Sequence, residues 1–204
     1  MKKTLHMITV LMVLGLVAGL ALASVYKYAQ PRILSNQEKR MREAIGRVFL
    51  GQMDTFKEID TEAGKIFKVL GKRDDIIGYA FMAEGNGYQG KISLMVGLKA
   101  DLETISGIEV IESSETPGLG ARIEEKDFIG QFMNLLAVPG ITYIKGSGSS
   151  KEKEIEAVTG ATMSAKQGEI EAITGATISS RTVVNILNEK IAVVRKVLLE
   201  SDYE

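Results

Sequence analysis

The sequence contains no cysteine, and His6 is its only histidine. These absences exclude iron–sulfur clusters held by thiolates, thioether-linked haem, Cys/His zinc sites and disulfide bonds. Any redox chemistry must therefore come from an organic cofactor. An excess of either charge is also lacking, because 25 lysine and arginine residues face 26 aspartate and glutamate residues. Without a broad basic surface, nucleic acid is not an expected partner.

One stretch near the N-terminus lacks charge altogether. Residues 7–25 contain no Asp, Glu, Lys or Arg and are apolar on every face. A membrane-spanning helix needs roughly 20 such residues, so the stretch predicts a membrane anchor. A cleaved signal peptide is the alternative, because Lys2 and Lys3 precede the stretch and the Ala-Leu-Ala sequence ending at Ala23 resembles a peptidase site. The anchor is favoured because the stretch is longer than the usual ~7–15 apolar residues of a signal peptide.

The segment after Pro31 predicts a second helix. Ser35 and Glu38 have the spacing of a capping box, in which each side chain binds a free backbone amide of the first turn. Apolar residues follow at helical spacing and are expected to pack in the core, namely Met41, Ile45, Val48 and Phe49.

The middle of the chain has the pattern of a β-sheet. Four strand-like runs, at 66–70, 76–83, 91–98 and 107–112, are separated by turn-forming residues. The simplest arrangement is an antiparallel meander. Within the third run, alternate apolar residues put at least one face of the sheet against a core.

Two further helices are expected after these strands. A short helix is predicted at 128–136, and the clearest helix of the chain lies near the C-terminus, with Ser179 or Ser180 as its N-cap. The apolar stripe of this long helix is formed by Val183, Leu187, Ile191, Val194 and Leu198. The predicted fold class is therefore α+β, with an antiparallel sheet and flanking helices behind a single N-terminal transmembrane helix.

A repeat is the most unusual feature of the sequence. Residues 154–164 recur at 169–179 with two conservative changes, so that a tandem duplication occupies 154–179. Each copy contains Thr-Gly-Ala-Thr, which ends at Thr162 in the first copy and at Thr177 in the second.

The second copy stands immediately before the long C-terminal helix. Small residues, Thr174, Gly175 and Ala176, allow close approach to the backbone at this point. A phosphate placed there would meet free amides and the positive end of the helix dipole, and the hydroxyls of Ser179 and Ser180 could add hydrogen bonds. A plain turn before a helix is the alternative.

A second unusual segment comes after the last strand of the meander. Pro117 fixes φ and Gly118 supplies a positive φ, so a tight turn is explained without a function. Leu119 is not explained by the turn alone, because an exposed apolar side chain between two glycines suits the flat face of an aromatic cofactor. The candidate cofactor-binding residues here are Glu115, Thr116, Pro117, Gly118, Leu119 and Gly120.

The N-terminal span, the sequence Glu-Thr-Pro-Gly-Leu-Gly at 115–120 and the sequence Thr-Gly-Ala-Thr-Ile-Ser-Ser at 174–180 resemble, in this order, the FMN-binding subunits of Rnf ion-translocating electron-transport complexes. The likeness is to the G subunit, and the C subunit of the sodium-pumping NADH:quinone reductase is a related family. The resemblance implies a redox subunit of a translocase rather than an enzyme on its own. It implies no catalytic residue and no metal ligand in this chain.

Several expectations depend on this resemblance. FMN is expected as a covalent phosphoester on Thr177, transferred from FAD by a separate, magnesium-dependent flavin transferase, with the isoalloxazine ring near 116–120. The chain would be a single-pass protein of the cell (inner) membrane, with an anchor at 1–30 and an extracytoplasmic FMN-binding domain at 31–204. Its partners would be the other subunits of the complex, the transferase and membrane lipid, and its role would be electron relay.

Two features depart from the family pattern. Glu171 stands where the transferase signature commonly has aspartate. The duplication also offers Thr162 as an alternative attachment residue. Thr177 is favoured because only the second copy precedes a long helix with a buried stripe, which can hold a phosphate in a fixed geometry. The first copy is then interpreted as a tolerated loop insertion.

Two other functions are compatible with the composition. One is the corresponding subunit of the sodium-pumping NADH:quinone reductase, against which the short chain argues. The other is a membrane-tethered structural or sensing module that carries no flavin. Covalent flavin in the denatured protein would distinguish this flavin-free module from an FMN-carrying subunit of either complex.

Overall fold

The computed structural model describes residues 2–145 and 168–201. The chain divides into two compact units, Met1–Glu43 and Ala44–Glu204. The first copy of the repeat, with Thr162, lies outside the described residues.

Helix α1 (Lys2–Val48) contains the predicted anchor. It is long and apolar enough to cross a membrane, and it is the one such helix among the described residues. The predicted second helix does not have a start of its own, because α1 runs through Pro31 and through the capping-box residues. Proline in a helix interior costs about 3 kcal/mol. Good helix formers follow, among them Glu38, Lys39, Arg40 and Met41.

A six-stranded antiparallel sheet forms the centre of the second unit. Its strands are β1 (Thr55–Thr61), β2 (Gly64–Leu70), β3 (Ile76–Asn86), β4 (Lys91–Lys99), β5 (Thr104–Ser113) and β6 (Leu135–Leu136). They pair in sequence order, so the predicted meander is confirmed. The sequence pattern did not predict β1, which is mostly exposed, or the two-residue β6.

Strand β4 is covered on both faces, and its residues 92–98 are all buried. The face with Ile92 and Leu94 belongs to the main hydrophobic core, which includes the C-terminal helix. On the other face, a Cβ at Gly97 would lie 3.1 Å from the side chains of both Val48 and Phe49. Both faces of the sheet therefore meet apolar side chains. Of the apolar residues predicted to pack in the core after Pro31, Ile45, Val48 and Phe49 are buried.

The predicted helix at 128–136 is only partly correct. Helix α2 (Lys126–Ile129) continues as a 3₁₀ helix, Gly130–Phe132, and then the chain turns. Asn134 has φ of 55°, a left-handed conformation that ends the helix. The next two residues pair with β5 instead and bury Leu135.

The last elements are a small parallel sheet and the long C-terminal helix. Strands β7 (Thr142–Lys145) and β8 (Glu169–Ala172) pair in parallel, and helix α3 spans Thr177–Ser201. All five residues of the predicted stripe are buried, so the prediction of this helix is confirmed. The N-cap prediction is wrong, because α3 begins at Thr177 and both serines lie inside its first turn. The Ser179 hydroxyl binds Glu115, 64 positions away, and the Ser180 hydroxyl binds backbone groups of Ile173 and Ala176 just before the helix.

Candidate functional site

Three connecting segments of the second unit meet at the start of α3. They are the turn between β3 and β4, the segment that follows β5, and the segment between β8 and α3. Together they form an open cleft of about 320 Å³. Its lining consists of Tyr88, Glu115, Thr116, Leu119, Gly120, Gly175, Ala176, Thr177, Ile178 and Ser179.

Thr177 is the first residue of α3 and lines this cleft. Gly175 has φ of +86°, a conformation that favours glycine, and it turns the chain from β8 into the helix. The Thr177 hydroxyl donates a long hydrogen bond of 3.5 Å to the Ile173 carbonyl and is half-buried. In the first turn of an α-helix the backbone amides have no acceptor within the helix. The cleft is therefore bordered by a hydroxyl and by amides suited to an anion.

Ser180 fixes the turn that presents Thr177. It is fully buried, and its hydroxyl accepts a hydrogen bond from the Ile173 amide at 3.1 Å. The same hydroxyl donates to the Ala176 carbonyl at 3.0 Å. The Ala176 amide closes the turn with a 2.9 Å bond to the Ile173 carbonyl. One side chain thus holds both ends of the segment that precedes the helix.

Glu115 joins the first two of these segments to the start of α3. Its carboxylate is buried, with 6% of the residue exposed. One oxygen, Oε1, accepts hydrogen bonds from the amides of Tyr88 at 2.6 Å and Gln89 at 3.2 Å. The other, Oε2, accepts from the Ser179 hydroxyl at 2.8 Å. The carboxylate therefore links the β3–β4 turn, its own segment and α3.

Two glycines make room for this carboxylate. A Cβ at Gly120 would collide with Glu115 Oε2 and would lie 2.8 Å from the Ser179 hydroxyl. A Cβ at Gly87 would collide with Glu115 Oε1. The glycine at the end of the 115–120 segment is therefore required by packing rather than by a turn.

Two polar side chains outside the predicted set hold the second copy of the repeat in place. Arg122 donates to the Thr174 carbonyl at 3.2 Å while its guanidinium pairs with Glu125. The Gln131 amide makes both backbone hydrogen bonds of Glu171, accepting from its N–H at 2.7 Å and donating to its carbonyl at 3.1 Å. Nothing in the local sequence indicates these contacts, because their partners lie 40 or more positions away.

The structure brings most of the predicted site residues to one cleft. Of the predicted residues, those in the lining are Glu115, Thr116, Leu119, Gly120, Gly175, Ala176, Thr177 and Ser179. Pro117 and Gly118 form the exposed tip of their turn, and Gly118 has the expected positive φ of 76°. Thr174 and Ser180 support the turn before α3 from outside the lining.

Sequence reasoning missed two lining residues, Tyr88 and Ile178. The signal that could have found Tyr88 is its position between Gly87 and Gly90 in a hairpin turn, where a large aromatic side chain is conspicuous. Ile178 could have been found from its place directly after the Thr-Gly-Ala-Thr motif.

The exposed apolar side chains of the cleft suit an aromatic ring. Leu119 is 54% exposed and Tyr88 is 68% exposed, and both border the cavity that also reaches Thr177. An apolar rim beside a helix N-terminus matches the two ends of a flavin nucleotide, which has a flat ring system and an anionic phosphate. No cluster of three or more potential metal-binding side chains occurs among residues 2–145 and 168–201. The apolar rim and the N-terminus of α3 therefore fit the ring system and the phosphate of FMN.

Comparisons with known proteins identify an FMN-binding domain in this chain. The model of the FMN-binding domain family matches residues 87–167 and again residues 164–192, so that the two matches meet within the repeat. The G subunit of an ion-translocating oxidoreductase complex from Methanosarcina acetivorans is 30% identical over 171 residues, which cover 80% of this chain and 88% of that protein. The G subunit of the proton-translocating ferredoxin:NAD(+) oxidoreductase complex of Clostridium ljungdahlii is 30% identical over 149 residues, covering 73% and 77%.

The fold is also that of a solved structure. The C subunit of the Na(+)-translocating NADH-quinone reductase from Parabacteroides distasonis superposes with a TM-score of 0.56 at 18% identity, over 78% of this chain and 92% of that one. The matches in sequence, the likeness in fold and the residues that line the cleft all agree with an FMN-binding domain. The chain belongs to the FMN-binding domain family that includes the G subunits of ion-translocating oxidoreductase complexes.

Proposed function

We propose that this chain is the electron-carrying subunit of a membrane-bound ion-translocating oxidoreductase of the ferredoxin- and NAD-linked Rnf type, with FMN covalently bound to Thr177. The observation that carries the proposal is the position of the Thr177 hydroxyl, at the N-terminus of α3 and in the lining of a cleft with an apolar rim. Family membership supports the cofactor, and the names of the relatives support the type of complex.

The attachment reaction requires a hydroxyl that a transferase can reach. The Thr177 oxygen would attack the FMN phosphorus of FAD, forming an O–P bond while the pyrophosphate bond breaks and AMP leaves. The hydroxyl proton passes to a base of the transferase. Thr177 is half-buried, and the hydrogen bond that its hydroxyl donates is long and therefore weak. Only a small interaction has to be given up for the reaction.

Once attached, the phosphate would lie where α3 has free amides. The amides of Ile178 and Ser179 belong to the first turn and have no acceptor within the helix. The helix dipole adds a stabilisation of about 0.3–1 kcal/mol for an anion at this end. Ser180 and Gly175 keep the turn in the conformation that directs Thr177 towards the cleft. The phosphate would thus be held by backbone groups that the buried stripe of α3 keeps rigid.

The ring system would rest against the apolar rim. When bound, FMN supplies reversible one- and two-electron chemistry, and the protein supplies binding, orientation and electrostatics. Leu119 and Tyr88 offer apolar surface, while Glu115 fixes the relative positions of the segments that carry them. A covalent link prevents loss of the cofactor from so open a cleft.

The proposal includes a place in the membrane. Residues 1–30 serve as a single-pass anchor in the cell membrane and residues 31–204 as the FMN-binding domain on the extracytoplasmic side. Support comes from the length and apolar character of α1. Membrane lipid, the other subunits of the complex and the flavin transferase are the corresponding partners.

Denaturing gel electrophoresis under ultraviolet light tests the proposal directly. The full-length protein from its native host is expected to give a fluorescent band, because a phosphoester survives denaturation. Mass spectrometry of its peptides should locate one FMN on the peptide that contains Thr177. A dark band would favour the flavin-free module. Purification of the assembled complex and identification of its other subunits would distinguish the Rnf type from the sodium-pumping NADH:quinone reductase, whose C subunit shares the fold.

A further inference from the structure

Glu115 is the only acidic residue in the lining of the cleft, within the part of the chain that the structure describes. Its two oxygens receive hydrogen bonds from two backbone amides and one serine hydroxyl. A carboxylate that only accepts is satisfied in its ionised form. These three donors are uncharged, so they hold the carboxylate in place and compensate its negative charge only in part.

We propose that Glu115 lowers the reduction potential of the flavin in this cleft through its fixed negative charge, without touching the reacting atoms. The inference rests on the proposed function, because it requires flavin in the cleft. At neutral pH the relevant half-reaction is FMN + 2e⁻ + H⁺ → FMNH⁻, so the reduced flavin has gained one negative charge. A carboxylate in the wall of the site disfavours this additional charge and therefore favours the oxidised form.

Burial makes this charge more effective than the other carboxylates near the cleft. Glu115 is 6% exposed, whereas Glu112, three residues earlier, is exposed at the end of β5. Charges in contact with solvent are screened within about 10 Å at 0.1 M salt, while a buried charge is screened much less. The carboxylate also packs closely against Gly87 and Gly120, because a Cβ at either glycine would collide with one of its oxygens.

The test is a spectroelectrochemical titration of the full-length, flavin-containing protein in detergent, with Glu115→Gln and the matched variant Glu112→Gln. Glutamine keeps the shape, and its amide oxygen can still accept from Tyr88 and Gln89 while its NH₂ group donates to Ser179. We expect the midpoint potential to become more positive in Glu115→Gln and to stay at the wild-type value in Glu112→Gln. The two variants change the net charge equally, so a difference between them reports the position of the charge.

A second variant predicts a shift of opposite sign. Ser179→Ala removes the one hydroxyl donor of the carboxylate, which leaves its charge less compensated, so the potential should become more negative. A general loosening of the cleft would instead shift the midpoint potentials of Glu115→Gln and Ser179→Ala in the same direction. This variant also keeps the inference testable where Glu115→Gln does not fold.

Two results overturn the inference and are distinguishable from each other. If Glu115→Gln retains the wild-type potential, or Ser179→Ala shifts it in the positive direction, the charge of Glu115 does not set the potential, and the proposed function is unaffected. If the wild-type protein binds no flavin, the inference and the proposed function are both wrong.

Discussion

The two copies of the repeat are nearly identical over eleven residues, but they differ in the residues that come directly after them. Ser180 after the second copy corresponds to Ala165 after the first, and Val183 corresponds to Gly168. Ser180 holds the turn before α3, and Val183 is fully buried in the core. The same Thr-Gly-Ala-Thr sequence is therefore followed by different residues in the two copies. The comparison shows that the motif supplies a hydroxyl and that the residues after it supply the rigid helix.

The largest expected effect separates the two threonines. Thr177→Val should abolish covalent FMN, because it removes the attacking oxygen while keeping a β-branched side chain of similar size. Thr162→Val should leave the flavin content at the wild-type level. In-gel fluorescence and intact-protein mass measure both. A full FMN equivalent on Thr177→Val would place the attachment on the first copy and reverse the comparison.

The second prediction concerns Val183, which is replaced by the glycine that stands at the corresponding position after the first copy. Val183→Gly leaves a cavity beneath α3 and adds the helix cost of glycine, so the free energy of unfolding should fall by about 3 kcal/mol. The flavin content should fall with it, because the first turn of α3 loses its support. Denaturant unfolding followed by circular dichroism gives the stability.

The matched control for Val183→Gly lies on the exposed face of the same helix. Asn185→Gly introduces glycine at an exposed position and should cost only about 0.5 kcal/mol. Equal losses in the two variants would mean that helix propensity, rather than burial of Val183, distinguishes the copies.

The third prediction concerns the hydroxyl of Ser180. Ser180→Ala leaves the part-buried Ile173 amide without its acceptor, and the loss of such a hydrogen bond costs about 1 kcal/mol. We expect a lower flavin content when the transferase is limiting, measured by mass spectrometry of the Thr177 peptide. The reciprocal variant, Ala165→Ser, should not transfer flavin to Thr162, because Gly168 still stands in the place of Val183. Modification of Thr162 in that variant would show that one hydroxyl suffices.

The smallest effect is expected from removal of the first copy. Deletion of residues 153–167 leaves seven residues, 146–152, between β7 and Gly168, whose carbonyl accepts from the Thr142 amide at 2.7 Å. Seven residues reach roughly 23 Å, whereas return along a four-residue strand needs about 13 Å. Loop entropy changes by about 1 kcal/mol, so stability and flavin content should stay close to wild type. Loss of folding on deletion would give the first copy a structural role of its own.

Much of the fold could be predicted from local pattern. The anchor was predictable from its uninterrupted apolar stretch. Four strands of the meander and the stripe of α3 were predictable because short apolar runs bounded by turn residues indicate strands and apolar residues at helical spacing indicate a helix. Strand β1 was missed because it lies at the edge of the sheet and is mostly exposed, so it has no apolar alternation. The end of α2 was misplaced because Leu135 and Leu136 pair with β5, a contact that helical spacing cannot indicate.

The candidate site was predictable in its parts and not in its assembly. Resemblance to a family indicated the segments 115–120 and 174–180, and the cleft contains residues from both. It did not indicate that Glu115 is buried or that Ser179 is its partner 64 positions away. Local sequence assigned Ser179 and Ser180 to a helix cap, a role that depends only on neighbours along the chain.

By itself, the sequence determined the apolar anchor, the absence of cysteine ligands and of thiol chemistry, the strand periodicity and the presence of two threonines in the same motif. Residue type and spacing are sufficient for these features, because each depends on the side chains of one short segment. Only the tertiary structure decided that the turn after β3, the segment after β5 and the start of α3 meet around one buried carboxylate. Contacts between distant segments depend on how the sheet and α3 pack together, and no local pattern records that packing.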